Sequence, residues 1–191
     1  MDPETTARLL DVIENDIVPL TRAGVAKGNK LFGAAILRRD DLSLVVAETN
    51  NEIANPLWHG EIHAIKRFYE MADHPDPADC IFLATHEPCS LCLSGITWAG
   101  FREFSYLFSH QDSADAFAIP HDIRILRAVY AVPDPDRSAP AEGRDLYNRE
   151  NEFFTSHALD AGERGERIAR TYDELSAVYQ ASKGAAGIPL A

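Results

Sequence analysis

The sequence predicts an α/β sandwich built on a partly parallel sheet. Short apolar segments typical of buried strands alternate along the chain with segments whose apolar residues recur at helical spacing. The chain has 191 residues, of which 46% are hydrophobic and 25% are charged, and this composition suits a globular domain with a buried core. No apolar run approaches the length that a membrane span requires.

The predicted elements follow one another with short connections. In chain order they are a helix over 5–23, a hairpin of strands at 32–37 and 43–48, a helix over 60–72, a strand at 80–85, a helix over 90–99 and a strand at 104–108. A mixed segment leads to a fifth strand at 128–132, and helices are predicted at 146–159 and 164–181. Pro19 is expected to disturb the end of the first helix, because proline lacks a backbone N–H.

The net charge indicates which classes of partner suit the chain, and the N-terminal segment indicates its compartment. The formal net charge is −12, whereas a nucleic-acid binder usually presents a basic face to the phosphates. Small neutral substrates therefore suit the chain better than polymers, and neither a nucleic-acid nor a membrane partner is expected. The N-terminal segment is acidic and amphipathic and lacks the basic-then-apolar layout of a secretory signal, so we expect a cytoplasmic protein.

Two half-motifs at predicted helix starts carry the chemistry. His59 and Glu61 open one helix, and Cys89 and Cys92 form a Cys-x-x-Cys at the start of the next. A helix N-terminus favours thiolate over thiol, and two such sulfurs with one imidazole give three ligands for a zinc ion. The fourth position stays open for water, as a catalytic zinc requires, so one Zn²⁺ per chain is expected.

Glu61 is placed to move protons at this centre, because it follows His59 by two residues on the same helical turn. Zinc would lower the pKa of its water, and Glu61 would accept a proton from that water and pass it to the substrate. Other interpretations remain open. A Cys-x-x-Cys alone also occurs in redox pairs and structural zinc sites, His63 is either a neighbour of the site or a fourth ligand, and Cys80 lies in an apolar strand and is expected in the core.

The segments 58–65 and 85–92 together resemble the cytidine and deoxycytidylate deaminase superfamily. The resemblance is nearest to the branch that holds bacterial guanine deaminase, yeast-type cytosine deaminase and the tRNA adenosine deaminases. It implies a three-layer α/β/α sandwich around a five-stranded mixed sheet, assembled as a homodimer. On this basis residues 1–135 form the zinc deaminase domain, and residues 136–191 form a helical extension that packs on the same domain or on a partner subunit.

The resemblance also implies which residues contact the substrate. The asparagine that follows the second strand is Asn50 or Asn51, with Asn50 favoured, and the other simply makes the turn. Phe32 would line the pocket or belong to the core, and His86 would contact the ring or cap its strand. Asp122 is the nearest candidate for the acidic residue that binds the guanine edge in the guanine deaminases. Asp112 and Asp115 would belong to the segment that resembles that branch, or be ordinary helix-capping or solvated acids.

The function that the resemblance implies is zinc-dependent hydrolysis of the exocyclic C–N bond of a small aminated heterocycle, with release of ammonia. A free base of guanine or cytosine type is the expected substrate. The alternatives are a tRNA, polynucleotide or nucleoside deaminase, and a catalytically silent deaminase-like subunit that binds zinc. A redox dithiol protein would need neither His59 nor Glu61.

Overall fold

In the described part of the chain, five strands form one mixed sheet: β1 (Gly33–Arg38), β2 (Leu44–Thr49), β3 (Cys80–His86), β4 (Glu103–Phe108) and β5 (Thr155–Ala158). Their order across the sheet is β2-β1-β3-β4-β5. Strand β1 is antiparallel to β2 and β3, whereas β3, β4 and β5 are mutually parallel. The computed structural model describes residues 1–128, 149–183 and 188. The predicted α/β architecture with a mixed five-stranded sheet is confirmed.

Helices cover both faces of this sheet. They are α1 (Pro3–Val12), α2 (Val18–Ala26), α3 (Gly60–Glu70), α4 (Ser90–Trp98), α5 (His110–Asp115), α6 (His121–Ala128) and α7 (Gly162–Ser182). One buried apolar cluster joins α1 and α7 to the sheet, and a second joins α3 and α4 to its opposite face. None of the helices in the described part of the chain combines the length and apolar character of a membrane span.

Strand β3 lies at the centre and separates the two clusters. Ile81 and Leu83 belong to the first cluster, whereas Phe82 and Ala84 belong to the second. This alternation follows from the two-residue period of a strand, whose successive side chains point to opposite faces. Every residue of β3 is buried, which explains why the sequence there is an almost continuous apolar run.

The first helix is longer than predicted and accommodates Pro19. Helices α1 and α2 are joined by a π-helical turn at Ile13–Ile17, in which the Val18 N–H donates to the carbonyl five residues back, Ile13 O. Pro19 falls in the first turn of α2, where its missing N–H matters least. The helical run therefore changes register rather than ending.

The C-terminal segment corrects one prediction. Of the predicted strand 128–132, Ala128 ends α6, and 129–132 lie outside the described residues. The fifth strand is Thr155–Ala158, so the helix predicted over 146–159 is wrong there. Pairing with β4 overrides local preference: the Thr155 N–H donates to Arg102 O and the Leu159 N–H to Tyr106 O, both at 2.9 Å.

Described residues on either side of β5 also pack on the sheet. Phe154 is buried with its ring centroid 5.2 Å from that of Phe104, so it belongs to the core. Helix α7 contributes the buried rings of Tyr172 and Tyr179 to the first cluster. Arg164 at the start of α7 donates to the Glu14 carboxylate at 3.0 Å and joins α7 to the N-terminal helix.

Candidate metal centre and active site

Three potential metal ligands converge where α3 and α4 begin. His59 is the N-cap of α3, Cys89 is the N-cap of α4, and Cys92 lies in the first turn of α4. Their ligand atoms all lie within 4.8 Å of one another. His59 Nδ1 is 3.5 Å from Cys89 Sγ and 3.6 Å from Cys92 Sγ. A nitrogen and a sulfur bound to one tetrahedral zinc lie roughly 3.5 Å apart, so these donors are placed to form a zinc site.

The environment of the two sulfurs favours a negative charge on Cys89 and disfavours one on Cys92. Cys89 Sγ accepts a hydrogen bond from the Cys92 N–H at 3.4 Å. The hydrogen bond from the Cys92 side chain lowers the pKa of Cys89 well below its ordinary value, and the neighbouring His59 lowers it further. Burial raises the pKa of Cys92. A thiolate at Cys89 attracts a cation, and metal binding would release the remaining thiol proton.

Glu61 lies beside this centre in the first turn of α3. Its carboxyl group is buried and within hydrogen-bond reach of the Cys92 side chain. Burial, with a smaller contribution from the charge on Cys89, raises the pKa of Glu61 to about 7. A carboxyl group with a pKa near neutrality can both accept and release a proton at physiological pH, which is what a proton shuttle requires.

Gly60 lets the start of α3 approach the sheet closely. A Cβ atom at this position would lie 2.8 Å from Phe32 O and 2.9 Å from Gly33 Cα, distances that only a shift of the backbone could relieve. The Gly60 N–H also donates to Asn50 Oδ1 at 2.6 Å. The glycine between His59 and Glu61 therefore fixes both residues against the first residues of β1.

A cavity of about 260 Å³ opens onto the metal centre. Its lining combines the metal-site residues, apolar side chains and several ionisable groups: Lys30, Phe32, Glu52, Pro56, Leu57, His59, Glu61, His86, Glu87, Cys89, Ser90, Leu91, Ile119, His121, Asp122 and Ile125. The predicted residues Phe32, His86 and Asp122 are thus brought to one cavity with His59, Glu61 and Cys89. Polar groups converging in a mostly apolar concavity are typical of a small-molecule site.

Phe32 and His86 form one side of the cavity. Their rings meet edge to face with centroids 4.7 Å apart. His86 Nδ1 lies 2.9 Å from Thr85 Oγ1, and His86 Nε2 has no hydrogen-bond partner among the described residues. Burial lowers the pKa of His86 to about 3, with a smaller contribution from His110. His86 is therefore neutral at physiological pH, and it does more than cap its strand because its ring lines the cavity.

Asp122 also lines the cavity, from the first turn of α6. Burial, together with the charge on Cys89, raises the pKa of Asp122 to about 7. The turn that leads into α6 is held by α7, because Ser176 Oγ and Gln180 Nε2 donate to Phe117 O at 3.2 and 3.1 Å. The next residue, Ala118, adopts the left-handed conformation with φ 55°.

The two asparagines after β2 have different roles. The Asn51 N–H donates to Trp58 O at 2.8 Å, and Asn51 O accepts from Ala54 and Asn55, so Asn51 closes the loop. The Asn50 side chain is buried behind the cavity and is not among the lining residues. Its amide nitrogen carries two hydrogens, of which one is donated to the Glu52 carboxylate at 2.9 Å.

Two residues with alternative interpretations lie away from the metal centre. His63 stacks on Trp58 with ring centroids 5.7 Å apart, and its Nδ1 lies 3.0 Å from Thr49 O, so it is not grouped with the metal ligands. Cys80 is buried in the second apolar cluster, as expected of a core residue. Burial raises the pKa of Cys80 to about 11, which keeps its thiol protonated.

Lys30 and Glu52 were not predicted from the sequence. They line the cavity as a buried ion pair, with Lys30 Nζ 2.9 Å from Glu52 Oε1. They lie in separate loops, one before β1 and one after β2. A lysine or glutamate in a loop is ordinarily solvated, so no local pattern distinguishes this pair. The one available signal was the position of Glu52 between Asn50 and His59, two residues already predicted to belong to the site.

Comparison with known proteins agrees with this geometry. Residues 16–108 match the family described as the cytidine and deoxycytidylate deaminase zinc-binding region. The matched segment contains His59, Glu61, Cys89 and Cys92. Over these residues the chain is similar to a zinc-binding family, and zinc is the metal that the histidine and the two cysteines fit.

Known guanine deaminases are among the similar proteins. The guanine deaminase of Bacillus subtilis (strain 168) is 32% identical over 88 residues, which cover 44% of this chain and 54% of that protein. The chain thus matches about half the length of this relative. A solved guanine deaminase from Bacillus subtilis has a TM-score of 0.54 and 25% identity, over 81% of this chain and 100% of that one. One from Nitrosomonas europaea shares the fold with a TM-score of 0.58 and 21% identity, over 92% and 85%.

Proposed function

We propose that this protein is a zinc-dependent hydrolytic deaminase of a small aminated heterocycle, with the free base guanine as the first candidate substrate. The observation that carries the proposal is the convergence of His59, Cys89 and Cys92 beside the buried carboxyl group of Glu61, at a cavity of about 260 Å³. Three protein ligands leave a fourth position for water, which distinguishes a catalytic zinc from a structural one.

We propose that the metal ligands and Glu61 have different roles in the hydrolysis. Zinc, when bound by His59, Cys89 and Cys92, would lower the pKa of its water toward neutrality. Glu61 accepts a proton from the attacking water and gives it to the ring nitrogen next to the amino-bearing carbon. After the new C–O bond forms, Glu61 transfers the second proton of the water to the amino group, and the C–N bond breaks to release ammonia.

The cavity supports a small aromatic substrate. Its volume of about 260 Å³ is below the roughly 300–1,000 Å³ of typical drug-sized ligand sites, so it suits a single ring system. We propose that the Phe32 and His86 rings pack against the base. Asp122 accepts hydrogen bonds from its ring N–H groups, whereas Asn50 is buried outside the cavity lining and bonds to Glu52 and Gly60 instead.

Guanine is preferred to cytosine as the candidate substrate because similar proteins are named guanine deaminases. The Bacillus subtilis protein that is 32% identical over the matched segment is named a guanine deaminase. The acidic Asp122 also complements the N–H donors of guanine. A tRNA or polynucleotide substrate is disfavoured by the net charge of −12 and by the acidic groups Glu52, Glu87 and Asp122 in the cavity.

A homodimer in the cytoplasm is also proposed. Leu91 and Trp98 are 39% and 90% exposed and lie two turns apart on one side of α4, which leaves an apolar stripe for a second copy to cover. Light scattering of the wild type and of Trp98→Glu measures the assembly. We expect the wild type to be a dimer and the variant to be a monomer. A monomeric wild type would contradict the proposed homodimer.

Three free cysteines, two of them in the metal centre, suit a reducing compartment.

A substrate screen combined with metal analysis tests the function. Purified protein should hold close to one zinc per chain and release ammonia fastest from guanine, when guanine, cytosine, adenine, their nucleosides, and triazine and pterin analogues are compared. His59→Ala should lose both the zinc and the activity. A zinc-loaded wild type that releases ammonia from none of these compounds would contradict the proposal.

A further inference from the structure

Glu52 lies at the centre of a buried polar cluster beside the metal ligands. Its side chain is 1% exposed, and it follows β2 in the loop that leads to α3. Each carboxylate oxygen has its own contacts. Oε1 lies 2.9 Å from Lys30 Nζ and 3.8 Å from His59 Nε2, whereas Oε2 accepts from the Lys30 N–H at 3.1 Å and from Asn50 Nδ2 at 2.9 Å.

The two nitrogens of the His59 ring face different groups. Nδ1 is directed at the two sulfurs, at 3.5 and 3.6 Å, and Nε2 is directed at Glu52. A histidine that binds a metal through one nitrogen carries its proton on the other, and a carboxylate on that side fixes the ring and its tautomer. At 3.8 Å the contact between Glu52 and His59 is electrostatic and longer than a formed hydrogen bond.

Lys30 holds the Glu52 carboxylate in place. It contacts both oxygens, one through its ammonium group and one through its backbone N–H. A buried ion pair is a poor source of stability, because removing two charges from water offsets most of their attraction. Burying this pair in the wall of a cavity therefore indicates a role in orienting other groups.

Asn50 extends the same arrangement to the backbone of α3. Because its Nδ2 donates to Glu52, its Oδ1 is turned toward Gly60, whose N–H it accepts at 2.6 Å. Gly60 directly follows His59. The carboxylate of Glu52 thus acts on the metal ligand from two sides, through the ring and through the start of the helix.

We propose that Glu52, anchored by Lys30, is a positioning residue that directs the His59 ring toward the metal. It contributes to zinc affinity without being a ligand. This inference rests on the proposed zinc-dependent function, and it assigns to a buried ion pair a role that the motif residues do not reveal.

The test measures zinc affinity and ligand geometry separately from turnover. Wild type, Glu52→Gln and the double variant Lys30→Met/Glu52→Gln are titrated against a zinc chelator, and the visible absorption of each is recorded with Co²⁺ in place of zinc. The double variant removes both charges, so no unpaired ammonium group is left buried. Glu48→Gln is the matched control, because Glu48 lies on β2 and contacts His63 instead of His59.

We expect both Glu52 variants to bind zinc 10- to 100-fold more weakly, the range typical for loss of a group that orients a ligand, and to show altered Co²⁺ bands. Glu48→Gln should match the wild type. Wild-type zinc affinity and Co²⁺ bands in the folded double variant would overturn the inference and leave the proposed function intact. A wild type that binds no zinc would overturn both.

Discussion

The cavity has two walls that the chain builds in different ways. The motif wall consists of Phe32, His59, Glu61, His86 and Cys89, each at the N-cap or in the first turn of a helix, or at or next to the end of a strand in the central sheet. The C-terminal wall consists of Ile119, His121, Asp122 and Ile125, in and just before α6. Regular structure fixes the motif wall, whereas contacts from a distant helix fix the C-terminal wall.

Because the two walls are held in different ways, we assign the metal chemistry to the motif wall and the selection of substrate to the C-terminal wall. Ligand distances set by two helix starts vary little, which suits a metal centre that must keep its geometry. The C-terminal wall depends on hydrogen bonds from α7 to Phe117 O, which join residues 59 and 63 positions apart in the sequence. A wall held in this way can change between relatives without disturbing the metal, so we assign the choice of substrate to it.

Among changes in the C-terminal wall, the largest effect is expected at Asp122, whose loss should alter substrate recognition without altering the metal centre. Asp122→Ala should lower kcat/KM for guanine about 10- to 100-fold, since a hydrogen bond to a charged group contributes ~1.5–3 kcal/mol. Zinc content should not change, because Asp122 is not a ligand. Steady-state kinetics and metal analysis of the same preparation check this. Asp115→Ala on α5, outside the cavity lining, is the control and should behave as the wild type.

Gly60→Ala tests how rigidly the motif wall is built. Its new Cβ would lie 2.8 Å from Phe32 O, so we expect a loss of ~1–3 kcal/mol in the free energy of unfolding and weaker zinc binding. Gly95→Ala is the matched control. There the Cβ would meet only the flexible end of Ile62, at 2.6 Å, and the cost should be smaller. Chemical denaturation of both variants measures the difference; equal costs would count against this account.

A smaller effect is expected where α7 holds the C-terminal wall. Ser176→Ala/Gln180→Ala removes two hydrogen bonds to Phe117 O, and we expect KM for guanine to rise several-fold with kcat and zinc content nearly unchanged. Ser182→Ala, whose hydroxyl bonds only within α7, should leave KM unaltered. A fall in zinc content without a change in KM would contradict the division between the walls.

The smallest effect concerns His86 and the pH dependence of stability. Burial lowers the pKa of His86 from 6.5 to about 3. Between these values the unfolded chain binds the proton and the folded chain does not, so the free energy of unfolding falls as the pH falls, by at most ~1.4 kcal/mol per pH unit. His86→Gln cannot titrate, and in the same metal state it should lose less stability than the wild type between pH 6.5 and pH 4.5. Denaturation midpoints at both pH values measure this; parallel losses would contradict it.

The sequence predicted the motif wall well because its information is local. Cys89 and Cys92 lie on one helical turn, and His59 and Glu61 lie on another, so spacing alone brings each pair together. The strand β3 was predicted by its apolar run. These parts depend on periodicity and on helix termini, which a single sequence records directly.

The parts that the sequence did not predict depend on contacts between distant residues. Strand β5 forms because the edge of β4 offers hydrogen-bond partners, although the local pattern suggested a helix. The Lys30–Glu52 pair joins two loops 22 positions apart. The identification of Asp122 depended on resemblance, and only the structure shows that α7 supports the turn before it. Tertiary context decides such features, and no local pattern carries them.

Glu61→Gln tests the central claim most directly, because it changes the residue proposed as the proton shuttle and leaves the metal ligands intact. Zinc content and ammonia release from guanine are measured on the wild type and the variant in parallel. The account predicts close to one zinc per chain in both proteins and a fall in kcat of roughly 10²- to 10⁴-fold in the variant. A variant that holds its zinc and releases ammonia at the wild-type rate would contradict the account.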